Sequence, residues 1–253
     1  MEERRYLSVG ADGHNKGGEG MRKELENGKD RDWKLARVIY EEQCLSFGTI
    51  RDFFFNGQKS NASRRLKILR EEKLIRWEKI GFSKLMRVVR LTQRGIEHYR
   101  EKFPIPVKQK RKLAPATITH DLLVTETRLH LSKIYNAEWV PERALKSLPL
   151  KKIPDGILTF PSGKRIAVEV ENTTKSKDRY EAIWREWENQ NFMLILYVST
   201  QDSVHRALVK NMKEFKSLSL RLGLMKFKDF KNQNLTHVWT PSSELPLFSK
   251  REF

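Results

Sequence analysis

Three carboxylates fall in one short stretch of the chain. Asp155 lies in Ile153-Pro154-Asp155-Gly156-Ile157-Leu158-Thr159-Phe160, and Glu169 and Glu171 close Arg165-Ile166-Ala167-Val168-Glu169-Val170-Glu171. Both segments alternate with period two, which predicts two strands. Pro161-Ser162-Gly163 between them supplies Pro for the second position of a type I turn and Gly where a positive φ is needed. A three-residue loop pairs Phe160 with Lys164 and sets Asp155 opposite Glu169. Parity then places Asp155, Glu169 and Glu171 on one face of the sheet and Leu158, Phe160, Ile166, Val168 and Val170 on the other. Carboxylates gathered in this way repel one another unless a cation or a basic ligand offsets them, so the chemistry to look for is cation binding. A polar, solvated strand face is the alternative, since antiparallel sheets routinely expose one side. A two-residue loop would turn Asp155 to the opposite face.

The elements around this hairpin read as a mixed α/β module over residues 117–253. A helix is expected from His120 to Tyr135, with Leu123, Thr127, Leu131 and Ile134 inward and Glu126 beside them. A strand follows near Glu138-Trp139-Val140, ahead of the hairpin. Asp178 is suited to cap a helix carrying Tyr180, Ile183, Trp184 and Trp187. Helical spacing assigns those aromatics to a core rather than to base stacking. The apolar run from Phe192 to Val198 suits a strand buried on both faces. A helix from Val204 to Phe215 and a last strand at His237-Val238-Trp239 complete an α/β order, not an all-α one.

The 253 residues suffice for two domains, and 50 Lys+Arg against 32 Asp+Glu give a formal charge of +18. That excess points to a polyanionic partner, with nucleic acid ahead of membrane lipid because no apolar run is long enough to span a bilayer. The expected setting is soluble and cytoplasmic. Cys44, the single cysteine, excludes internal disulfides and cysteine-based zinc sites, and it reads as core. The six histidines show no metal-ligand spacing, and no phosphate-binding Gly loop is present. Residues 1–30 mix charge with Gly and are expected as a flexible tail. Three prolines and a basic cluster over residues 103–116 mark a linker and the domain boundary.

Residues 31–102 read as three helices, a hairpin and a further helix. Leu35, Val38 and Ile39 set the first helix, and Thr49 is expected to cap a second at Ile50–Phe55. Ser60 or Asn61 is expected to cap a third, whose inward stripe is Ala62, Leu66 and Leu69. Strands Leu74–Lys79 and Met86–Leu91 and a helix capped by Thr92 follow. This order, with Ser60-Asn61-Ala62-Ser63-Arg64-Arg65-Leu66-Lys67-Ile68-Leu69 as its third helix, resembles a winged helix-turn-helix. The resemblance implies double-stranded DNA as partner. It assigns Lys59, Ser60, Asn61, Ser63, Arg64 and Lys67 to the DNA, with Lys79, Lys84 and Arg87 of the wing against phosphate. A winged helix used for protein contact is the alternative.

The second module, with Pro154-Asp155 followed by Glu169-Val170-Glu171, resembles the PD-(D/E)xK nuclease-like fold. Winged helix and second module together, with His120-Asp121-Leu122-Leu123, Trp139-Val140-Pro141-Glu142 and Pro154-Asp155-Gly156, resemble the replication-relaxation family of plasmids and other mobile elements. In active nucleases of that fold the matching Asp155 and Glu169 would hold Mg²⁺, and Glu126 would be the acidic residue of the first helix. The lysine expected two residues after Glu169 is Glu171, a departure that puts cleavage in doubt. Lys175 or Lys177 could substitute for it, or Glu171 could bind a second cation. Three functions are therefore expected: a DNA-binding protein of a mobile element with a nuclease-like module, a Mg²⁺-dependent endodeoxyribonuclease, and a transcriptional regulator. Replication or transfer proteins, and a second copy of the chain in a homodimer, are further expected partners.

Overall fold

The computed structural model describes residues 16–81, 86–103, 109, 112–135, 137–231, 237–241 and 244–246. The first sheet belongs to an N-terminal unit built from α1 (Lys16–Glu42), β1 (Leu45–Ser46), α2 (Phe47–Phe54), α3 (Lys59–Glu71), β2 (Ile75–Lys79), β3 (Arg87–Leu91) and α4 (Gln93–Tyr99). Its strands run antiparallel in the order β1-β3-β2. The second sheet takes its strands from α5 (Ile118–Ile134), β4 (Glu138–Pro141), α6 (Glu142–Leu145), β5 (Gly156–Thr159), β6 (Arg165–Glu171), α7 (Lys177–Glu188), β7 (Leu194–Ser199), α8 (Asp202–Glu214), β8 (Leu222–Lys226), α9 (Phe227–Lys231), β9 (His237–Trp239) and β10 (Glu244–Pro246). Its order is β10-β9-β8-β7-β6-β5-β4, with β6, β7 and β8 parallel and the other pairs antiparallel. The chain is thus a mixed α/β protein, as its element pattern implies. Among the described residues no helix is long and apolar enough to cross a membrane.

The hairpin register is the one set by its turn. Gly156 pairs with Val168 and Thr159 with Arg165, and Gly163 takes a φ of +80° as its amide donates to the Phe160 carbonyl at 2.8 Å. Leu158, Phe160, Ile166, Val168 and Val170 share a core with Val124 and Leu131 of α5. The opposite face, however, is not simply acidic. Ile157, Ala167, Ile195 and Tyr197 pack there against Tyr180, Trp184 and Trp187 of α7 and Val204 and Leu208 of α8. The parallel crossovers β6-α7-β7 and β7-α8-β8 lay both helices on that side, so the sheet is buried on both faces. Of the carboxylates expected together there, Glu169 and Glu171 occupy the end of that face beyond its apolar part, whereas the Asp155 carboxylate, just ahead of β5, turns to His120 of α5.

Several local expectations shift by a residue or more. Ser46, not Thr49, caps α2, its Oγ accepting from the Thr49 amide at 3.0 Å. Gln58 sits at the start of α3 without a side-chain cap, so neither Ser60 nor Asn61 holds that position. Ser176 rather than Asp178 caps α7, whereas Thr92 does cap α4. Sequence periodicity misses β8, a five-residue strand buried from Leu222 to Met225 between basic neighbours. Residues 16–30, expected as tail, are helical within α1, and residues 1–15 lie outside the described residues.

The linker expected over 103–116 is packed where it is described. The Phe103 ring stacks on Tyr40 with centroids 4.1 Å apart, and Gln109 Nε2 donates to the Tyr40 carbonyl at 3.0 Å. Leu113 enters a small core with Cys44, Ile80, Val88 and Ile118, and burial there pushes the Cys44 thiol up to about 12. The two units also meet through charge. Arg128 of α5 is buried and bonds both Glu41 and Glu42 at the end of α1, the latter at 2.8 Å. Glu42 Oε1 also accepts from Trp139 Nε1 of β4 at 3.1 Å.

Trp139 constrains the strand that follows Asp155. A Cβ on Gly156 would sit 2.0 Å from the Trp139 ring, which is 2% exposed and held by Glu42. Gly156→Ala is therefore expected to destabilise the fold by about 1–3 kcal/mol through overpacking. A thermal melt reads this as a lower midpoint, and an unchanged midpoint would mean that the indole moves aside freely.

Candidate carboxylate and lysine site

By register, the partner of Val170 on β5's side would be Pro154, which has no amide to donate and at which the ladder stops. The Asp155 side chain takes over the free amide, its Oδ2 accepting from Val170 N at 2.7 Å. Its Oδ1 lies 3.1 Å from Nε2 of His120, in the first turn of α5. That hydrogen bond and the Asp155 charge raise the His120 pKa against the opposing effect of burial.

Glu169 lies opposite Asp155 by the same register and beside Tyr197 of β7. Its Oε1 is buried and makes no hydrogen bond; it faces the Lys152 ammonium at 3.2 Å in an ion pair. Burial first, and then the Asp155 charge, push the Glu169 carboxyl up to about 8 against the pull of Lys152. Burial would lower the Lys152 ammonium, but Glu169 and Asp155 outweigh it and hold it above its ordinary value. Glu171, 7% exposed, pairs with Lys175, while the Lys175 amide donates to the Tyr180 hydroxyl at 3.3 Å. The Tyr197 hydroxyl accepts from Nε1 of both Trp184 (3.1 Å) and Trp187 (3.3 Å), so both indoles are core.

The two carboxylates open onto different spaces. Asp155 lines a cavity of about 20 Å³ with His120, Asp121 and Arg143, room for about one water. Glu169 lines one of about 200 Å³ on the α7 side with Lys152, Glu171, Lys175, Arg179 and Tyr197. Among the described residues no group of three or more His, Cys, Asp or Glu side chains is placed to hold a metal ion. Both carboxylates are hard oxygen donors of the kind Mg²⁺ takes while keeping most of its waters, and Glu169 Oε1 makes no hydrogen bond, but the two line separate cavities and both Asp155 oxygens are engaged.

The structure brings Asp155, Glu169, Glu171 and Lys175 together and leaves two expected residues apart. Glu126, two turns beyond His120 on α5, faces His130 at 3.9 Å. Lys177 turns outward to Glu214 of α8 at 2.6 Å and to Glu181. His120 and Lys152 take their place: the sequence offers His120 only as part of the His120-Asp121-Leu122-Leu123 motif, with no site role, and sequence reasoning passes over Lys152. The only signal for Lys152 is its position two residues before Pro154-Asp155. Neither position fixes a partner.

On α3, Lys59, Ser60, Asn61, Ser63, Arg64 and Lys67 are all exposed, and Ala62, Leu66 and Leu69 are buried beneath them. Arg65 differs from its neighbour Arg64: its Nε donates to the buried Asp32 of α1 at 2.8 Å. Lys67 reaches Glu71 at 3.9 Å, a surface pair of little energetic weight. Lys79 and Arg87 pair at the loop end of the β2-β3 hairpin and are exposed. Lys84 lies outside the described residues.

The replication-relaxation family model matches residues 37–193, from within α1 through α7 to the start of β7. The chain belongs to the replication-relaxation family. No curated protein and no solved structure matched it. The span matched to this family includes α3, the Arg128 junction and every residue of the carboxylate and lysine cluster, so both candidate surfaces lie inside the family unit.

Proposed function

We propose that this replication-relaxation protein is a DNA-binding protein of a mobile element. In this reading a winged helix-turn-helix docks α3 on duplex DNA, and the seven-stranded module works on, or assembles around, the bound DNA. The observation that carries it is the outer face of α3, where Lys59, Ser60, Asn61, Ser63, Arg64 and Lys67 are all exposed while Arg65 is turned to the buried Asp32. Lys79 and Arg87 extend the basic surface onto the hairpin. Such a helix presents polar side chains to base edges and cations to phosphate. The excess of 50 Lys+Arg over 32 Asp+Glu supports a polyanionic partner.

Arg64→Ala combined with Lys67→Ala is expected to weaken duplex binding by roughly 10–100-fold. The slope of log K against log salt should fall by about 2, close to one per lost contact. Titration by fluorescence anisotropy at several salt concentrations measures both. Parental affinity in the double variant would remove α3 from the interface.

A second reading is favoured by Asp155 and Glu169 being opposite in register with a lysine 3.2 Å from one of them. Here the seven-stranded module is a PD-(D/E)xK-like, Mg²⁺-dependent endodeoxyribonuclease. Asp155 and Glu169 would hold the ion, which supplies Lewis-acid stabilisation of charge on a phosphodiester. His120 and the Val170 amide hold Asp155 in place. Incubation of supercoiled, linear, single-stranded and forked DNA with Mg²⁺ or Mn²⁺ tests it. Nicking lost in Asp155→Ala and Glu169→Ala supports cleavage, and no nicking of any substrate by the parent rejects it.

A further inference from the structure

Lys152 has no role in the sequence pattern, yet among the described residues it is the lysine paired with Glu169 of the carboxylate pair, at 3.2 Å. It enters from the loop ahead of β5, is 26% exposed, and sits in the cavity of about 200 Å³ beside Glu169. Arg179 of α7 lines the same cavity and has no side-chain partner among the described residues. Arg179 also lies in the first turn of α7, where a cation is disfavoured by the helix dipole and an anion is welcome. Glu171, at the position where a lysine would be expected, is occupied by Lys175. The positive charge that would meet an incoming phosphate therefore comes from a different part of the chain.

We propose that the α7-side cavity is a second DNA contact, which takes a backbone phosphate against Lys152 and Arg179. The proposal rests on the DNA-binding reading above. The Lys152 ammonium leaves Glu169 in part and bonds a phosphate oxygen, and the Arg179 guanidinium supplies a planar pair of donors from the cavity rim. Glu169, Glu171 and Glu186 line the rest of the cavity and repel a phosphate from it, which holds the phosphate at the Lys152 and Arg179 side.

Lysine footprinting with an acetylating reagent on the full chain, with and without duplex DNA, separates the two surfaces in one measurement. Protection of Lys59 and Lys67 reports the α3 contact, and protection of Lys152 and Lys175 reports the cavity. Protection at both is expected. Protection confined to Lys59 and Lys67 overturns the cavity contact and leaves the α3 reading intact, and protection at neither set overturns both. Removal of Lys152 alone leaves Glu169 without its cation, so the decisive variant is Lys152→Met with Glu169→Gln, which keeps the pair neutral. Its DNA affinity should fall by roughly 3–10-fold with a salt slope smaller by about 1, and Lys152→Arg should retain the slope. Parental affinity in the double variant would reduce Lys152 to a counter-ion of Glu169 and overturn the proposal.

Discussion

Arg128→Ala is expected to destabilise the chain by about 3–5 kcal/mol, the cost of breaking a buried ion pair from one side. The guanidinium is 5% exposed and binds Glu41, itself 0% exposed, and Glu42, 6% exposed. Without it two carboxylates remain in the interior with no compensating charge. Burial already raises the Glu42 carboxyl even with Arg128 present, and the two glutamates further oppose one another. In the variant Glu42, already raised, would lose the pull of Arg128 and take up a proton more readily, so the folded state would bind more protons than the unfolded one. Stability of the variant should therefore fall as pH rises above the ordinary carboxylate range, and the deficit should shrink towards pH 4–5. Urea titrations at pH 5 and pH 8 measure the difference. The same loss at both values would point to lost packing rather than to uncompensated charge. A variant that also carries Glu41→Gln and Glu42→Gln should recover a large part of the stability, because a buried ionic cluster can be replaced by neutral groups at little net cost. Arg128 joins α5 to the end of α1, so hydrogen exchange in the single variant should rise at both of these elements together.

Glu169→Gln should act in the opposite direction. In metal-free buffer the parental carboxyl titrates at about 8, against 4.5 for the free group, because burial and Asp155 disfavour its charge. The sign follows from proton binding. Between pH 4.5 and 8 the unfolded chain loses this proton while the folded chain keeps it, so parental stability declines with pH across that window and levels off above it. The neutral amide is free of this decline. Glu169→Gln should match the parent near pH 5 and exceed it by about 2–4 kcal/mol at pH 9, less than the full separation would give because Lys152 loses its partner. Equal or lower stability of the variant at pH 9 would show that the Lys152 ion pair outweighs burial. Such a carboxylate, held at a stability cost, is common where a site is arranged for a ligand rather than for the fold.

The hairpin was legible because both of its determinants are local. Pro161 and Gly163 dictate the loop, and period-two alternation fixes which side chains share a face, so the opposition of Asp155 and Glu169 follows from the sequence. The stripe Ala62, Leu66 and Leu69 likewise fixes which side of α3 is left outward. Helix caps were less legible, since Ser46 and Thr49, or Ser176 and Asp178, offer equivalent oxygens and packing chooses between them. The strand β8 escaped because its four buried residues, Leu222 to Met225 between Arg221 and Lys226, carry too little periodicity to stand out.

The composition and spacing of the chain determined its mixed α/β class, its basic character and the register that gathers the carboxylates. Only the tertiary structure decided what those carboxylates meet. His120 reaches Asp155 across 35 positions of sequence and Lys152 reaches Glu169 from an irregular loop, while Glu126 and Lys177, equally plausible by type, turn to other partners. Arg128 finds Glu41 and Glu42 more than 80 residues away. The reason is physical: periodicity and turn chemistry act over a few residues and set faces, whereas the partner of a charged side chain is chosen by long-range packing, which fixes where burial makes pairing obligatory.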